Sequence, residues 1–230
     1  MLLDHNKIVI FSHPRTGTKL LAGIFQNFGY HVHGEWFSLR STVINNGQIE
    51  RKSLRSTYET VSEGRYRDFR ALKTRLGLFK HREKSVVTIW PNVMSDFPFL
   101  YNHFKDYYYV GIRRNVFDQL LSYYISSKNE NFDGEKISQP VEFKYEAFQK
   151  SFWDYYRICE LQDWLIKENK CTLINFDRLI SGKETALDSS YSVNSNDQHL
   201  NLESLVSNIN EVKGWYAYLE RQRAIALVWE

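Results

Sequence analysis

Short apolar runs alternate with amphipathic stretches along most of this 230-residue chain. The runs are rich in β-branched and aromatic residues, and each predicts a strand: 7–12, 85–90, 107–112 and 171–176, with a shorter candidate at 30–33. Apolar residues recur at helical spacing in 20–28, 69–79, 115–127 and 143–169, and two helical segments end the chain. Gly29 suits the C-cap of the first helix.

The predicted strands are apolar throughout, which is typical of a parallel sheet covered by helices on both faces. The pattern therefore predicts an α/β fold with one domain over residues 1–230. Three stretches are predicted to lie outside the sheet and helices: a polar, irregular 38–64 with a turn at Asn45-Asn46-Gly47, an exposed loop at 129–140, and a mobile loop at 181–200. Ligands of such sheets bind beyond the carboxyl ends of the strands.

Composition is that of an ordinary globular protein, with 43% hydrophobic and 25% charged residues. Two cysteines make a disulfide framework implausible, and no apolar run reaches the roughly 20 residues of a membrane helix. The N-terminus, with Asp4 and Lys7 among its apolar residues, predicts a strand and no signal peptide. These features predict a cytoplasmic protein without a membrane span.

A net charge of +3 is too small to indicate a nucleic-acid partner, and none is expected. The charge is uneven, because residues 51–84 hold eleven Lys/Arg against four acidic residues. That segment is interpreted either as a solvated helix face or as a basic wall near an acidic substrate.

The segment from Ser12 to Lys19 joins the first predicted strand to the first predicted helix. Backbone N–H groups in a first helical turn lack intrahelical partners and lie at the positive end of the helix dipole. Gly17 allows close approach of a ligand. Two hydroxyls and two cations accompany it: Thr16, Thr18, Arg15 and Lys19. Taken alone, the segment is either an anion-binding loop or an ordinary helix start, and it is not a Walker A sequence.

A second candidate begins where the strand at 107–112 ends. Arg114 at a strand end can bind a phosphate in a bidentate manner, through two charge-assisted hydrogen bonds. Ser122 lies eight residues on, which is about two helical turns, or roughly 12 Å. It would reach the same anion only if the chain enters the helix through a bend near Asn115.

Together, Pro-Arg-Thr-Gly-Thr at 14–18 and Arg-Asn-Val-Phe-Asp-Gln-Leu-Leu-Ser at 114–122 resemble the two nucleotide motifs of sulfotransferases. That family uses 3′-phosphoadenosine 5′-phosphosulfate (PAPS), and the resemblance implies its P-loop-like α/β fold. It assigns the 5′-phosphosulfate to Arg15, Thr16, Gly17, Thr18 and Lys19, and the 3′-phosphate to Arg114 and Ser122. "INFDRL" at 174–179 resembles the strand-plus-acidic segment that follows in family members, so the resemblance spans residues 7 to about 180.

The resemblance is closer to some branches of the family than to others. Arg15 is more similar to the tyrosylprotein and bacterial glycolipid branches than to the cytosolic small-molecule branch, which uses Lys. The C-terminal Arg-Lys-Gly of the cytosolic branch is missing here. Many members have Thr or Ser in place of Lys19.

Sulfuryl transfer needs in-line placement, stabilisation of the leaving phosphate and a base for the attacking hydroxyl, without an obligatory metal. Arg15 is placed to neutralise charge on the departing oxygen. Glu35 matches the base of the glycolipid and tyrosylprotein branches and is predicted to follow the second strand, beside the first. His13, His31 and His33 are alternatives, and no third ligand near His31 and His33 supports a metal site.

The acceptor is expected to bear a hydroxyl or an amine and to be a carbohydrate, lipid, small molecule or peptide. Four aromatic residues could line its pocket or belong to the core: Trp36, Phe37, Tyr123 and Tyr124. Two other hypotheses stand beside the sulfotransferase. One is a Mg²⁺-dependent nucleotide kinase, although the Walker lysine is missing. The other is a non-catalytic module that binds polyanions through residues 51–84 and ignores PAP, the desulfated nucleotide.

Overall fold

The computed structural model describes residues 2–36, 42–45, 48–51, 83–89, 101, 104–128, 140–187, 191 and 201–226. Side chains are described for these residues except 34–36, 42–45 and 48–51. The predicted helix at 69–79 and nearly all of the predicted loop at 129–140 lie outside the described residues, as does most of 181–200.

Five strands form one parallel sheet, which confirms the predicted α/β class. The strands are β1 (Lys7–Phe11), β2 (His31–Trp36), β5 (Ser85–Ile89), β6 (Tyr108–Arg113) and β7 (Cys171–Asn175), and their order across the sheet is β2-β5-β1-β6-β7. Four of the five predicted strands, β1, β5, β6 and β7, are present within one or two residues of their predicted ends. β2 runs three residues beyond its prediction, to Trp36.

Helices cover both faces of this sheet, as predicted. On one face α1 (Thr18–Asn27) contributes Leu21, Ile24 and Phe25 to a buried cluster with alternate strand residues such as Ile8, Ile10, Val86, Val110 and Ile112. On the other face the end of α3 (Tyr145–Lys167) reaches β1, because the Gln162 amide donates to the Phe11 carbonyl. Side chains on both sides of a strand such as Ile8–Phe11 are therefore buried. This explains why apolar and polar residues do not alternate along the strand.

The end of α1 shows why the helix stops where the sequence predicts. Gly29 adopts a φ of 82°, which costs glycine little. Its N–H donates to the Gln26 carbonyl, and the N–H of Tyr30 donates to the Phe25 carbonyl. This pair of bonds is the Schellman arrangement, which satisfies carbonyls that the helix end would leave open.

The chain divides into two compact units. The first comprises 1–113 and 160–193 and contains the sheet. The second comprises 114–159 and 194–230, with α2 (Val116–Lys128), most of α3, a short 3₁₀ helix (Leu202–Leu205) and α5 (Ile209–Ala226). The sequence predicts one domain over residues 1–230. Whether the two units can fold separately is not decided by their compactness, so this stays a prediction.

The second unit has a core of its own that is rich in aromatic residues. Tyr124 stacks on Phe143 at 3.9 Å between ring centroids, and its hydroxyl accepts from the Lys144 N–H. Phe152, Trp215 and other aromatic residues extend this cluster. Of the aromatic acceptor candidates, Tyr124 is thus a core residue.

Two sequence predictions about the region after α1 were wrong. Residues 42–51, predicted to be irregular, contain an antiparallel pair, β3 (Thr42–Asn45) with β4 (Gln48–Arg51). Asn46-Gly47 between them is a common hairpin connection, so the turn signal implied strands as well as a turn. Also, β2 is not beside β1, because β5 lies between them.

Within the described part of the chain, no helix is both long enough and apolar enough to cross a membrane.

Candidate functional site

The carboxyl ends of β1 and β6 are tied together by one serine. Ser12 Oγ donates to the Ile112 carbonyl at 3.3 Å and accepts from the Ile112 N–H. After β1 the chain moves to β2 on one side, whereas after β6 it moves to β7 on the other. This pair of strands therefore marks the topological switch point, where open α/β sheets bind their ligands.

The backbone after β1 has positive φ at two of three successive residues. Arg15 has φ 67° and Gly17 has φ 92°, while Thr16 between them is not in the positive-φ region. Alternation of left-handed and right-handed residues turns successive N–H groups toward one concave side. α1 begins directly afterwards at Thr18, with its dipole adding positive potential.

Arg15 is the unusual residue of this turn. A left-handed conformation costs a non-glycine residue about 1–2 kcal/mol, and such strain persists only where neighbouring contacts hold it. Its side chain is half-buried. Strained backbone clusters at ligand sites, so this conformation agrees with the predicted role of the segment.

Gly17 is required by its surroundings as well as by its φ. A Cβ at this position would lie 2.7 Å from two ring carbons of Phe176. Phe176 opens α4 (Phe176–Ile180), directly after β7, and Asn175 caps that helix by accepting from the Arg178 N–H. The aromatic ring of Phe176 thus packs against the turn at Gly17. Nothing in the local sequence around Gly17 indicates this contact.

Thr16 and Thr18, both predicted hydroxyl donors, are buried. The Thr16 hydroxyl donates to the His13 carbonyl at 2.7 Å, so its proton closes the turn. Lys19 is exposed. The Thr16 hydroxyl is thus occupied within the turn, and the roles of Thr18, Arg15 and Lys19 toward an anion stay predictions.

His13 is 4% exposed, and its Nδ1 donates to the Pro14 carbonyl at 3.1 Å. Burial lowers the pKa of the imidazole to about 4, because a charged ring would lose its hydration. The ring is therefore neutral near pH 7, and Nε2 carries the lone pair. Because protonated His13 is a strong acid for an imidazolium, the neutral ring is a weak base.

Arg113 and Arg114 are distinguished by their positions. Arg113 ends β6, and its guanidinium donates to Gln162 Oε1 at 3.1 Å and to Asp163 Oδ1 at 2.7 Å. Arg114 follows in neither strand nor helix, and its carbonyl accepts from the Tyr155 hydroxyl at 3.2 Å. The Arg113 guanidinium is thus held by two partners, and the phosphate contact of Arg114 stays a prediction.

The helix that carries Ser122 begins with a side-chain cap. Asn115 Oδ1 accepts from the Asp118 N–H at 3.1 Å, so α2 starts immediately after the non-helical Arg114-Asn115 pair. The cap fixes the start of the helix after Asn115, and whether Arg114 and Ser122 contact one anion stays a prediction. Ser122 is 5% exposed. The assignment of both residues to the 3′-phosphate stays a prediction.

Glu35 lies inside β2, one residue before its end, and not after the strand as predicted. Its backbone pairs with Thr88, which in turn pairs with Ile10 of β1. Two strand spacings of roughly 4.8 Å place its backbone about 10 Å from that of Ile10. His33 of the same strand contacts Ser85 Oγ at 3.4 Å, and His31 packs edge-on against its ring. Within the described residues no group of three His, Cys, Asp or Glu side chains could hold a metal.

Sequence reasoning missed three residues that shape this site: Ser12, Gln162 and Phe176. Ser12 begins the segment that joins the first strand to the first helix, and a hydroxyl directly after a buried strand was the signal available. Gln162 is a polar residue on a helix face that is otherwise buried, with Leu165 one turn further along. Phe176 ends a run that was interpreted as strand.

No protein-family model and no curated protein matches the sequence. Among solved structures, the chain is similar to a sulfotransferase domain from the curacin biosynthetic pathway. The TM-score is 0.41 at 12% identity, and the alignment covers 77% of this chain and 69% of that one. At this identity the likeness concerns the fold alone.

Proposed function

We propose that this protein is a sulfotransferase that moves a sulfuryl group from PAPS to a hydroxyl or amine acceptor. The observation that carries the proposal is the alternation of φ sign at Arg15, Thr16 and Gly17, directly after β1 and before α1. It coincides with the segment that resembles the 5′-phosphosulfate motif, and the Walker lysine of phosphotransferases is absent from it.

The donor set fits a doubly charged phosphosulfate. Backbone amides of a nest and a helix start bind a tetrahedral oxyanion without losing side-chain entropy. Arg15 and Lys19 add two positive charges beside them. By the resemblance, Arg114 and Ser122 would supply a charged donor and a hydroxyl for a 3′-phosphate.

In this proposal the bound donor supplies an activated sulfuryl group on a phosphate leaving group. The amides of the loop and the Arg15 guanidinium neutralise the negative charge that develops on the bridging oxygen. Glu35 accepts the proton of the attacking hydroxyl, which makes the acceptor a stronger nucleophile. His13 stays neutral and holds the loop, since its Nδ1–H is bound to the Pro14 carbonyl.

A thermal-shift panel with PAP, ATP–Mg²⁺ and 5′-AMP tests the proposal. PAP at about 100 times its dissociation constant should stabilise the fold by about 2.7 kcal/mol without added metal. AMP should give a smaller shift, because it lacks the 3′-phosphate.

Each alternative has its own result in that panel. A shift with ATP–Mg²⁺ only would replace the sulfotransferase by a nucleotide phosphotransferase. Binding of heparin-like chains with steep salt dependence, and no response to PAP, would indicate a polyanion-binding module.

A further inference from the structure

Gln162 occupies an unusual place for an amide, between the last residues of two neighbouring strands. It is 1% exposed. Its Nε2 donates to the carbonyl of Phe11, which ends β1, at 2.8 Å, and also lies 3.4 Å from Ser12 Oγ. Its Oε1 accepts from Nε of Arg113, which ends β6, at 3.1 Å. One side chain thus links the two strand ends at the switch point.

The sheet is shaped to admit this amide. A Cβ at Gly111 would lie 2.7 Å from Gln162 Nε2 and 2.7 Å from Leu173 Cδ2. Any larger residue at 111 would push the amide away from the Phe11 carbonyl. Glycine weakens a strand interior, and where it occurs it often marks a close approach of this kind.

A buried glutamine at this point contributes to stability, because its removal would leave the Phe11 carbonyl and the Arg113 Nε–H without this partner. What the amide adds is direction, since its two ends fix the Phe11 carbonyl and the Arg113 guanidinium at set distances. Asp163 holds the other side of that guanidinium at 2.7 Å.

The fixed strand ends lead directly into the two predicted anion-binding segments. Ser12 to Gly17 follows Phe11, and Arg114 follows Arg113. The first of these segments contains the strained Arg15, a conformation that persists only where the surroundings determine it.

We propose that Gln162 is a positioning residue for the donor site, which holds the loop after β1 in its anion-binding shape through the Phe11 carbonyl. This inference rests on the proposed function, because it assigns the loop a phosphosulfate. Gln162 does not touch the nucleotide and acts through the backbone of Phe11 and Ser12.

The test compares Gln162→Met with Leu165→Ala in the full chain, using isothermal titration with PAP and 5′-AMP and thermal unfolding without ligand. Met keeps the volume of Gln162 and removes both hydrogen bonds. Leu165, one turn further along α3, is fully buried and apolar, so its truncation reports on helix packing alone.

Gln162→Met should weaken PAP and AMP roughly tenfold each, and its Tm should also fall, because the Phe11 carbonyl and the Arg113 Nε–H lose a buried partner. Leu165→Ala should lower Tm by roughly 5–15 °C and leave both affinities within about twofold, measured well below its Tm. Gln162→Glu should weaken both nucleotides as much as Met does, because it keeps an acceptor for Arg113 but offers Phe11 no donor.

Two results would overturn the inference while leaving the sulfotransferase proposal intact. One is a wild-type protein that binds PAP and a Gln162→Met variant that loses no more affinity than Leu165→Ala. The other is a Gln162→Met chain that does not fold, since the amide would then be a requirement for stability. A wild-type protein that does not bind PAP would instead overturn the proposed function itself.

Discussion

The two predicted anion-binding segments of this chain are built in different ways. The loop from Ser12 to Gly17 is a backbone structure, with two left-handed residues and its serine and threonine hydroxyls bound to backbone atoms. The segment from Arg114 to Ser122 is a short non-helical link followed by a helix that Asn115 caps. In the first segment binding would depend on main-chain shape, and in the second on side chains.

This difference determines which substitutions should matter in each segment. A backbone site is damaged by whatever changes φ or the contacts that support the turn, in addition to any loss of the cations Arg15 and Lys19. A side-chain site is damaged by removal of one charged group, while its helix remains intact. Substitutions in the two segments test that contrast, and a substitution outside both, at Glu35, tests the proposed base.

Glu35→Gln should have the largest effect, on turnover alone. Glutamine keeps the size of the side chain but cannot accept a proton, so the rate should fall by roughly a hundred- to ten-thousandfold. PAP affinity should survive, because neither anion-binding segment is changed. Single-turnover rates and PAP titration on one preparation measure both quantities, with Glu83→Gln as the exposed control. Near-normal turnover would return the role of base to a histidine.

His13 should make the first segment, and not the second, sensitive to acid. Its folded pKa of about 4 lies below the ordinary 6.5, so the unfolded chain binds the additional proton between those values. Stability should therefore fall as pH drops through this window, by up to roughly 3 kcal/mol at pH 4.

His13→Asn provides the comparison, because its amide nitrogen can donate to Pro14 as Nδ1 does but does not titrate. Urea unfolding at pH 7 and pH 4.5 should show a smaller loss of stability for the variant. Equal losses in both proteins would mean that His13 does not govern the acid response.

Arg114→Ala should separate the nucleotides. Loss of a charge-assisted bond worth roughly 1.5–3 kcal/mol should weaken PAP about ten- to a hundredfold. Binding of 5′-AMP, which lacks the 3′-phosphate, should hardly change. Isothermal titration measures both, and Arg157→Ala, an exposed arginine of the same unit, is the control. Equal losses for PAP and AMP would remove Arg114 from the 3′ site.

Two glycines, one in the loop and one in the helix that follows it, should respond in opposite directions. Gly17→Ala forces alanine to φ 92° and against Phe176, so the free energy of unfolding should fall by about 1–3 kcal/mol, with PAP and AMP both weakened. Gly23→Ala in α1 meets nothing within 4 Å and should stabilise by about 0.5–1 kcal/mol. Urea titration of both variants measures the difference. A tolerated Gly17→Ala would contradict the backbone-built loop.

Local pattern was sufficient for most of the sheet and for the position of the loop. Periodicity predicted β1, β5, β6 and β7 within two residues, because burial on both faces leaves a continuous apolar run. The antiparallel pair of β3 and β4 was missed, because strands of four residues are too short for periodicity to decide, even though Thr42-Val43-Ile44 is β-branched. Glu35 was placed beside β1 because periodicity carries no information about which strands are neighbours.

The amino-acid sequence by itself determined the positions of four of the five strands of the parallel sheet, the turns at Gly17 and Gly29, and the two segments that carry phosphate-like motifs. These features depend on residues within a few positions of one another. Tertiary structure alone decided the strand order, the packing of Phe176 against the turn at Gly17, and the hydrogen bonds of Ser12 and Gln162. Those contacts join residues that are 100 and 151 positions apart, and they form only when the strands have assembled into the sheet.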